Sequence, residues 1–590
     1  MLRRTLWAIT AVLLAAPVWA QPSADEGDWR VAGKDPANTR FSSLAEITAA
    51  NAAQLRLAVS FDTGQDRGQE AAPIVADGMM FVVGPYPNPV FAFDLARPGF
   101  PLKWKFEPAP EPSAQGVACC DVVNRGAAYA DGRLFFNTLD NQTIALDAKS
   151  GKELWRARLG EIKLGQSMTM APLVVKNKVL VGNSGGEFGV RGWLTALDAA
   201  TGRIAWRAYS TGPDQDVLIG PNFRPFYAGD RGADLGVKTW PPDAWKIGGG
   251  TVWGFLSYDP ELDLVYYGTA NPGPWNPDQR PGDNKWTSGV FARRPDTGEA
   301  IWYYQLSPHD LHDYDGVNEN ILVELDWQGG RRKLLLHADR NGYVYVMDRS
   351  TGQVLSANPF VYITTSTGVD LQTGALHYSP AKDPRGGEPI RSICPASPGG
   401  KDWQPAAFSP RTRLLYIPHQ NLCQDAVTYQ TSYIAGTPFV GVDLKMYPGP
   451  GGHRGVFTAW DPVAGRKAWE RTENFPVWSG ALATAGDVVF YGTMEGLFKA
   501  VDARNGKLLW QFQAASGIIG QPVTFRAPDG RQYVAVLAGV GGWAGAIVSG
   551  KLDSRDGTAG GGFVSTMRDL PQATRKGGML YVFALPTGAR

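Results

Sequence analysis

Cysteine is almost absent from this 590-residue chain: there are four, and Cys119 and Cys120 are neighbours. A dense disulfide framework is thereby excluded as the source of stability. Histidine is scarce too, with six residues and no pair at metal-ligand spacing, so a zinc or copper centre built on imidazole is not expected. His309 and His312 read as loop or supporting groups. No C-x-x-C-H occurs, which removes covalently attached haem. Without a basic run or basic helix, nucleic acid is not expected as a partner. Beyond the first twenty residues nothing approaches the roughly 18 uninterrupted apolar residues of a spanning helix. The protein is therefore not expected to be integral to a membrane.

The first twenty residues have the form of an export signal. Arg3 and Arg4 precede an apolar stretch over 6–16, and Val18-Trp19-Ala20 offers small residues for cleavage before Gln21. The expected product is a soluble protein of the periplasm, where disulfides are allowed. The formal charge of +1 falls to about −1 once Arg3 and Arg4 are removed.

Long stretches of helical periodicity are also few, and 71 Gly, 43 Pro and 20 Trp point to strands and turns. One pattern recurs. It reads Ala145-Leu-Asp-Ala-Lys-Ser-Gly-Lys-Glu-Leu-Trp155, and returns ending at Trp206, Trp469 and Trp510, with degenerate copies ending at Trp104, Trp302 and Leu355. Each copy predicts a hairpin, with a strand ending near Asp, a turn closed by Gly and a strand carrying Trp. Neighbouring copies lie about 40 to 50 residues apart, the length of a four-stranded propeller blade. The fold class is all-β, a propeller of about eight blades. Its tryptophans pack blade on blade, and residues 21–590 are expected to form a single domain. Residues 22–60 lack the pattern and are placed to close the ring against the last blade. The Gly/Pro-rich insertions 220–250 and 361–400 are expected to cap the central channel.

The doublet has two readings. Adjacent Cα atoms are about 3.8 Å apart whereas ordinary bridges prefer roughly 5.5 Å, so a Cys119–Cys120 bridge is strained and points to a functional site. Alternatively each cysteine pairs elsewhere, since four cysteines allow three connectivities.

Oxygen-bearing residues recur in tight turns: Glu187 in Asn183-Ser-Gly-Gly-Glu-Phe-Gly189, Asn271 in Asn271-Pro-Gly-Pro-Trp275, and Asp313 and Asp315 in His309-Asp-Leu-His-Asp-Tyr-Asp-Gly316. Carboxylate and amide oxygens suit hard cations. An Asp in such a turn also caps it with no metal at all.

These motifs, in this order, with Arg125 after the doublet, Thr251-Val-Trp253 and Asp339-Arg-Asn-Gly342, resemble the quinoprotein alcohol dehydrogenases of the methanol and ethanol dehydrogenase type. The resemblance runs from Trp29 and Asn38-Thr-Arg-Phe-Ser42 to the end of the chain. It implies an eight-bladed propeller with pyrroloquinoline quinone (PQQ) on its axis, Trp253 on one face and the Cys119–Cys120 ring on the other. Glu70, Arg125, Thr169, Ser184, Gly185, Gly186 and Thr251 would hold the cofactor, with Asp402, Trp403 and Trp478 as further contacts. Arg340 would stand beside the reactive quinone oxygens. Cys394 and Cys423 would form the second bridge.

The resemblance also implies a mechanism. A metal on Glu187, Asn271 and Asp313 polarises the quinone carbonyl, Asp313 takes the alcohol proton as general base, and hydride passes from the alcohol carbon to the quinone. Asp315 adds a third carboxylate, enough to balance a trivalent ion. It resembles the lanthanide-dependent (La, Ce, Pr, Nd) XoxF-type group, with a Ca²⁺ enzyme as the alternative. Trp275 and Trp543 would line a small apolar pocket for short primary alcohols, methanol first and ethanol next. Electrons would leave to a separate periplasmic c-type cytochrome. Oligomeric state, a homodimer included, stays open. Two residues depart from the methanol-type pattern: His312 stands where the family has Trp, and Trp403 is ethanol-like. A non-catalytic periplasmic scaffold propeller would share the repeat, but has no reason to keep the doublet or the acidic pair.

Overall fold

The computed structural model describes residues 27–587. The predicted export signal, residues 1–20, lies outside the described residues. Among them, eight sheets carry the blade pattern, seven of four strands and one of five. The blades occupy residues 74–106, 127–158, 173–209, 257–305, 321–359, 407–473, 482–513 and 523–584. The first strand of a blade is typically short and buried, as in Ile74–Ala76, and lies innermost. The fourth alternates exposed and half-buried residues, as Glu153–Arg158 does, and faces outward on one side.

The repeat does what its spacing predicts. Gly151 N donates to Asp147 O at 2.8 Å and closes the turn before Glu153–Arg158. Each repeat tryptophan but Trp510, which bonds Leu55 O in the N-terminal segment, then docks on the next copy of the turn. Trp104 Nε1 donates to Ala148 O at 3.2 Å, and a Cβ on Gly151 would meet the Trp104 ring at 2.7 Å. The same pairing joins Trp155 to Ala199 and Gly202, Trp302 to Arg349 and Gly352, and Trp469 to Ala503 and Gly506. Glycine is required twice over there: φ is positive, and the indole occupies the space of a side chain. Where Leu355 replaces the tryptophan, Gly465 meets Asn358 instead.

The ring closes as the unpatterned N-terminal segment predicts. Arg56–Asp62 pairs antiparallel with Met579–Ala584, so one sheet contains strands from both ends of the chain. Phe41–Ser42 adds in parallel to Leu482–Thr484.

The cap differs in part from expectation. Residues 366–378 form a small hairpin, and Ile390–Ile393 joins Leu422–Thr428 and Val442–Pro448 in a three-stranded sheet. Residues 220–250 do not line the central cavity; Tyr227 packs against Tyr304, Trp240 Nε1 donates to Lys285 O, and Gly250 N donates to Asn271 O. The roof is completed instead by short helices, Gly542–Val548, Val564–Met567 and Leu570–Ala573, whose Gly-rich sequence carries little helical signal.

Candidate active site

Antiparallel order puts two sets of loops at one end of the axis: those entering the innermost strands, and those joining second to third strands. Glu70 precedes Ile74–Ala76, Arg125 precedes Ala127–Ala130, Thr169 precedes Leu173–Val175, Trp253 precedes Ser257–Asp259, and Trp403 precedes Ala407–Ser409. Asp313 and Asp315 lead into Ile321–Trp327, and Trp478 into Leu482–Thr484. Ser184–Glu187, Asn271 and Arg340 follow second strands. Residues spread over some 400 positions therefore meet around one cavity.

That cavity is lined by Glu70, Cys119, Cys120, Arg125, Thr169, Ser184, Gly185, Glu187, Trp253, Trp275, Asp313, Asp315, Arg340, Asp402, Trp403, Trp478 and Trp543, all singled out from the sequence. Gly186, Thr251 and Asn271 lie just behind. A Cβ on Gly186 would stand 3.6 Å from both Asn271 Oδ1 and Thr251 Oγ1. Asp121, Ser167, Pro398 and Gly542 also line the cavity and were not anticipated.

The two cysteine pairs are Cys119–Cys120 and Cys394–Cys423, and no free cysteine occurs among the described residues. Cys119 is exposed and Cys120 half-buried, so the doublet forms the outer roof. It is gripped from both sides. Trp543 Nε1 donates to Cys119 O at 3.3 Å, and Arg67 Nε bonds the Asp121 carboxylate at 2.9 Å. Asp121 was legible only as a neighbour of the doublet, and Arg67 carried no local signal.

Two buried ion-pair systems face the cavity. Arg125 pairs with Glu70 at 3.1 Å and donates to Thr169 Oγ1 at 2.7 Å. Its guanidinium lies 4.9 Å from the ring centres of both Trp253 and Trp403. Arg340 meets Asp313 at 3.3 Å, Asp315 at 3.0 Å and Asp402 at 2.8 Å. Burial works against its charge, but Asp315, Asp402 and Asp313 outweigh that and hold the guanidinium protonated above its ordinary value.

The carboxylates shift the other way. Burial, then Asp315 and Glu187, raise Asp313 well above the carboxylate range, with Arg340 opposing. Asp315 is pushed up to about 7 by burial and by Glu187, against the pull of Arg340. Burial also raises Glu187, and it pushes Glu70 up to about 8 against the pull of Arg125. His312 goes down to about 3 through burial, so its imidazole is neutral.

Local structure holds the acidic loop in place. Asp313 has φ 65°, in the left-handed region that costs a non-glycine residue energy. The Asp310 carboxylate grips the loop around it, accepting from His312 N at 3.1 Å and Tyr314 N at 2.9 Å. Asp315 Oδ1 accepts from Asn271 N at 2.6 Å, tying two of the candidate metal ligands together.

Among the described residues no three acidic, histidine or cysteine side chains are gathered closely enough to hold an ion by themselves. Asp313 and Asp315 are turned onto Arg340, and Glu187 acts on them through charge across the cavity. The donor set is all oxygen, which fits a hard cation. Asp313 Oδ1, Arg125 Nε, Arg340 Nε and Trp478 Nε1 are buried without a hydrogen-bond partner. Buried polar atoms of this kind converging between Trp253 and the doublet fit a flat ligand rich in carboxylates and carbonyls.

Comparisons with known proteins agree. The family model "PQQ: Glucose/ethanol/alcohol dehydrogenase, beta-propeller domain" matches residues 29–359 and 455–534. The chain is 51% identical to a lanthanide-dependent methanol dehydrogenase of Methylacidiphilum fumariolicum, over 95% of this chain and 93% of that protein. It is 45% identical to methanol dehydrogenase [cytochrome c] subunit 1 of Methylorubrum extorquens, over 95% and 92%. A europium-containing methanol dehydrogenase of known structure superposes with a TM-score of 0.94 at 51% identity, covering 95% of this chain and 99% of that one. The chain belongs to the PQQ-dependent (quinoprotein) alcohol dehydrogenase family, with lanthanide-dependent methanol dehydrogenases among its most similar relatives.

Proposed function

We propose that this protein is a soluble periplasmic dehydrogenase, residues 21–590 forming one catalytic domain, that oxidises short primary alcohols, methanol before ethanol, to aldehydes. Electrons pass to a separate c-type cytochrome, in keeping with the cytochrome-linked relative. The observation that carries the reading is the acidic set. Glu187, Asp313 and Asp315 face one cavity with Asn271 behind them, three negative charges matched to a trivalent ion. When bound, PQQ accepts hydride and a lanthanide on Glu187, Asn271, Asp313 and Asp315 withdraws charge from it as a Lewis acid.

The chain's own residues do the rest. Asp313, with its raised proton affinity and an unbonded Oδ1, takes the alcohol hydroxyl proton. Arg340 keeps its charge and supplies donors to developing negative charge at the reacting oxygens. Arg125, Glu70, Thr169, Ser184, Gly185, Gly186 and Thr251 would hold the cofactor's carboxylates and carbonyls, Trp253 and the Cys119–Cys120 roof would cover its faces, and Asp402, Trp403 and Trp478 would add further contacts. Trp275 and Trp543 wall the alcohol pocket and exclude bulk water, which strengthens each of these charge interactions.

The test is reconstitution of the purified protein with PQQ plus La³⁺, Ce³⁺ or Ca²⁺, followed by alcohol oxidation with an artificial acceptor. Activity with the lanthanides should be well above that with Ca²⁺. Equal or better activity with Ca²⁺ removes the lanthanide assignment, and inactivity with every ion removes the function.

A further inference from the structure

Behind Trp275 lies a second, much smaller cavity of about 10 Å³. Trp275 is the wall it shares with the main cavity, and Leu311 is the wall it shares with an outer cleft of about 500 Å³. Ala426, Val442 and Leu444 make its lining mostly apolar. Two polar atoms of its lining residues are buried without a hydrogen-bond partner: His312 Nε2 and Trp275 Nε1. Both residues are more than nine-tenths buried, at 4% and 7% exposure. Two other polar atoms of the lining are engaged. Gln424 Oε1 accepts from Ser397 N and Oγ at 2.9 and 3.0 Å, and Thr428 Oγ1 donates to Pro384 O at 2.7 Å.

A space of this size holds about one water molecule, given two or more polar partners. An indole N–H only donates, whereas an imidazole nitrogen donates or accepts according to tautomer, so water can satisfy both at once. We infer that one water occupies this cavity, bridges Trp275 Nε1 to His312 Nε2, and so makes His312 a positioning residue that sets the width of the alcohol pocket through Trp275. This rests on the main cavity being the alcohol site. His312 touches neither substrate nor cofactor. It fixes the indole that does, and the indole fixes which alcohols fit. Without the bridge, the Trp275 ring is free to shift and the pocket loses its hold on the smallest substrates.

The tests are direct. A crystal structure that resolves ordered waters should show one bonded to both ring nitrogens. In the loaded enzyme, His312→Leu should raise KM for methanol about five- to tenfold while kcat falls by less than about twofold, and should shift kcat/KM toward longer primary alcohols. His312→Gln, which returns a polar group to the cavity, should restore the wild-type profile. Trp275→Phe removes the same bond from the other side, so His312→Leu should add nothing in that background. A cavity without the bridging water, a His312→Gln profile like that of His312→Leu, or additive effects of the two substitutions would each overturn the inference. An inactive wild type would instead refute the alcohol-site reading, and the crystallographic test of the water does not depend on it.

Discussion

The proposed choice of metal rests on Asp315, and its surroundings say how it should behave. It is buried, bonded to Asn271 N and paired with Arg340, so removing it leaves the loop held by Asp310 and Tyr314. Asp315→Ala should abolish activation by lanthanides with an unchanged far-UV spectrum and an unchanged elution volume. Retained activation would take Asp315 out of the ligand set. Its proton affinity adds a pH dependence. A carboxyl pushed up to about 7 holds its proton below that pH, so an incoming cation must displace it. Lanthanide affinity of the cofactor-free protein should therefore fall as pH drops through 7, by about tenfold per unit for each proton displaced. Calorimetry in buffers of different ionisation enthalpy would count those protons. A flat profile from pH 8 to pH 6 would contradict the assignment.

Blade elements owe their stability to an indole seated on the glycine of the next turn. Gly352→Ala places a methyl group 2.6 Å from the Trp302 ring at φ +78°. The left-handed backbone costs about 1–2 kcal/mol and the overlap a further 1–3. Gly465→Ala has a similar backbone, but the side chain it meets is Asn358, which can turn aside. Chemical denaturation should rank Gly352→Ala as the more damaging, and equal losses would show that the indole gives way as readily as the amide. This level of structure was the most legible in the sequence, because the four-residue step from Gly to Trp is local and recurs. The acidic loop and the doublet were legible through short motifs. The roof was not, since the Gly-rich helix Gly542–Val548 has little propensity of its own and is held by packing, with Trp543 against Phe563, which stacks on Trp478. Nor was the grip of Arg67 on Asp121, because contacts between distant loops leave no local pattern.

At the scale of the whole molecule, closure depends on one sheet. Met579–Ala584 lies between Gln532–Ala538 and Arg56–Asp62, so the C-terminal strand carries the N-terminal one. A chain ending at Gly578 should lose cooperative unfolding and become protease-sensitive throughout; an unchanged denaturation midpoint would place closure elsewhere. The roof adds a matter of timing. Its halves, Cys119 and Trp543, are 424 residues apart in sequence and meet through one hydrogen bond. A chain emerging from its N-terminus owns the doublet early and the helix that braces it only at the very end. Retention of anything bound beneath that roof would thus be a property of the finished polypeptide: synthesis delivers the cradle first and the latch last.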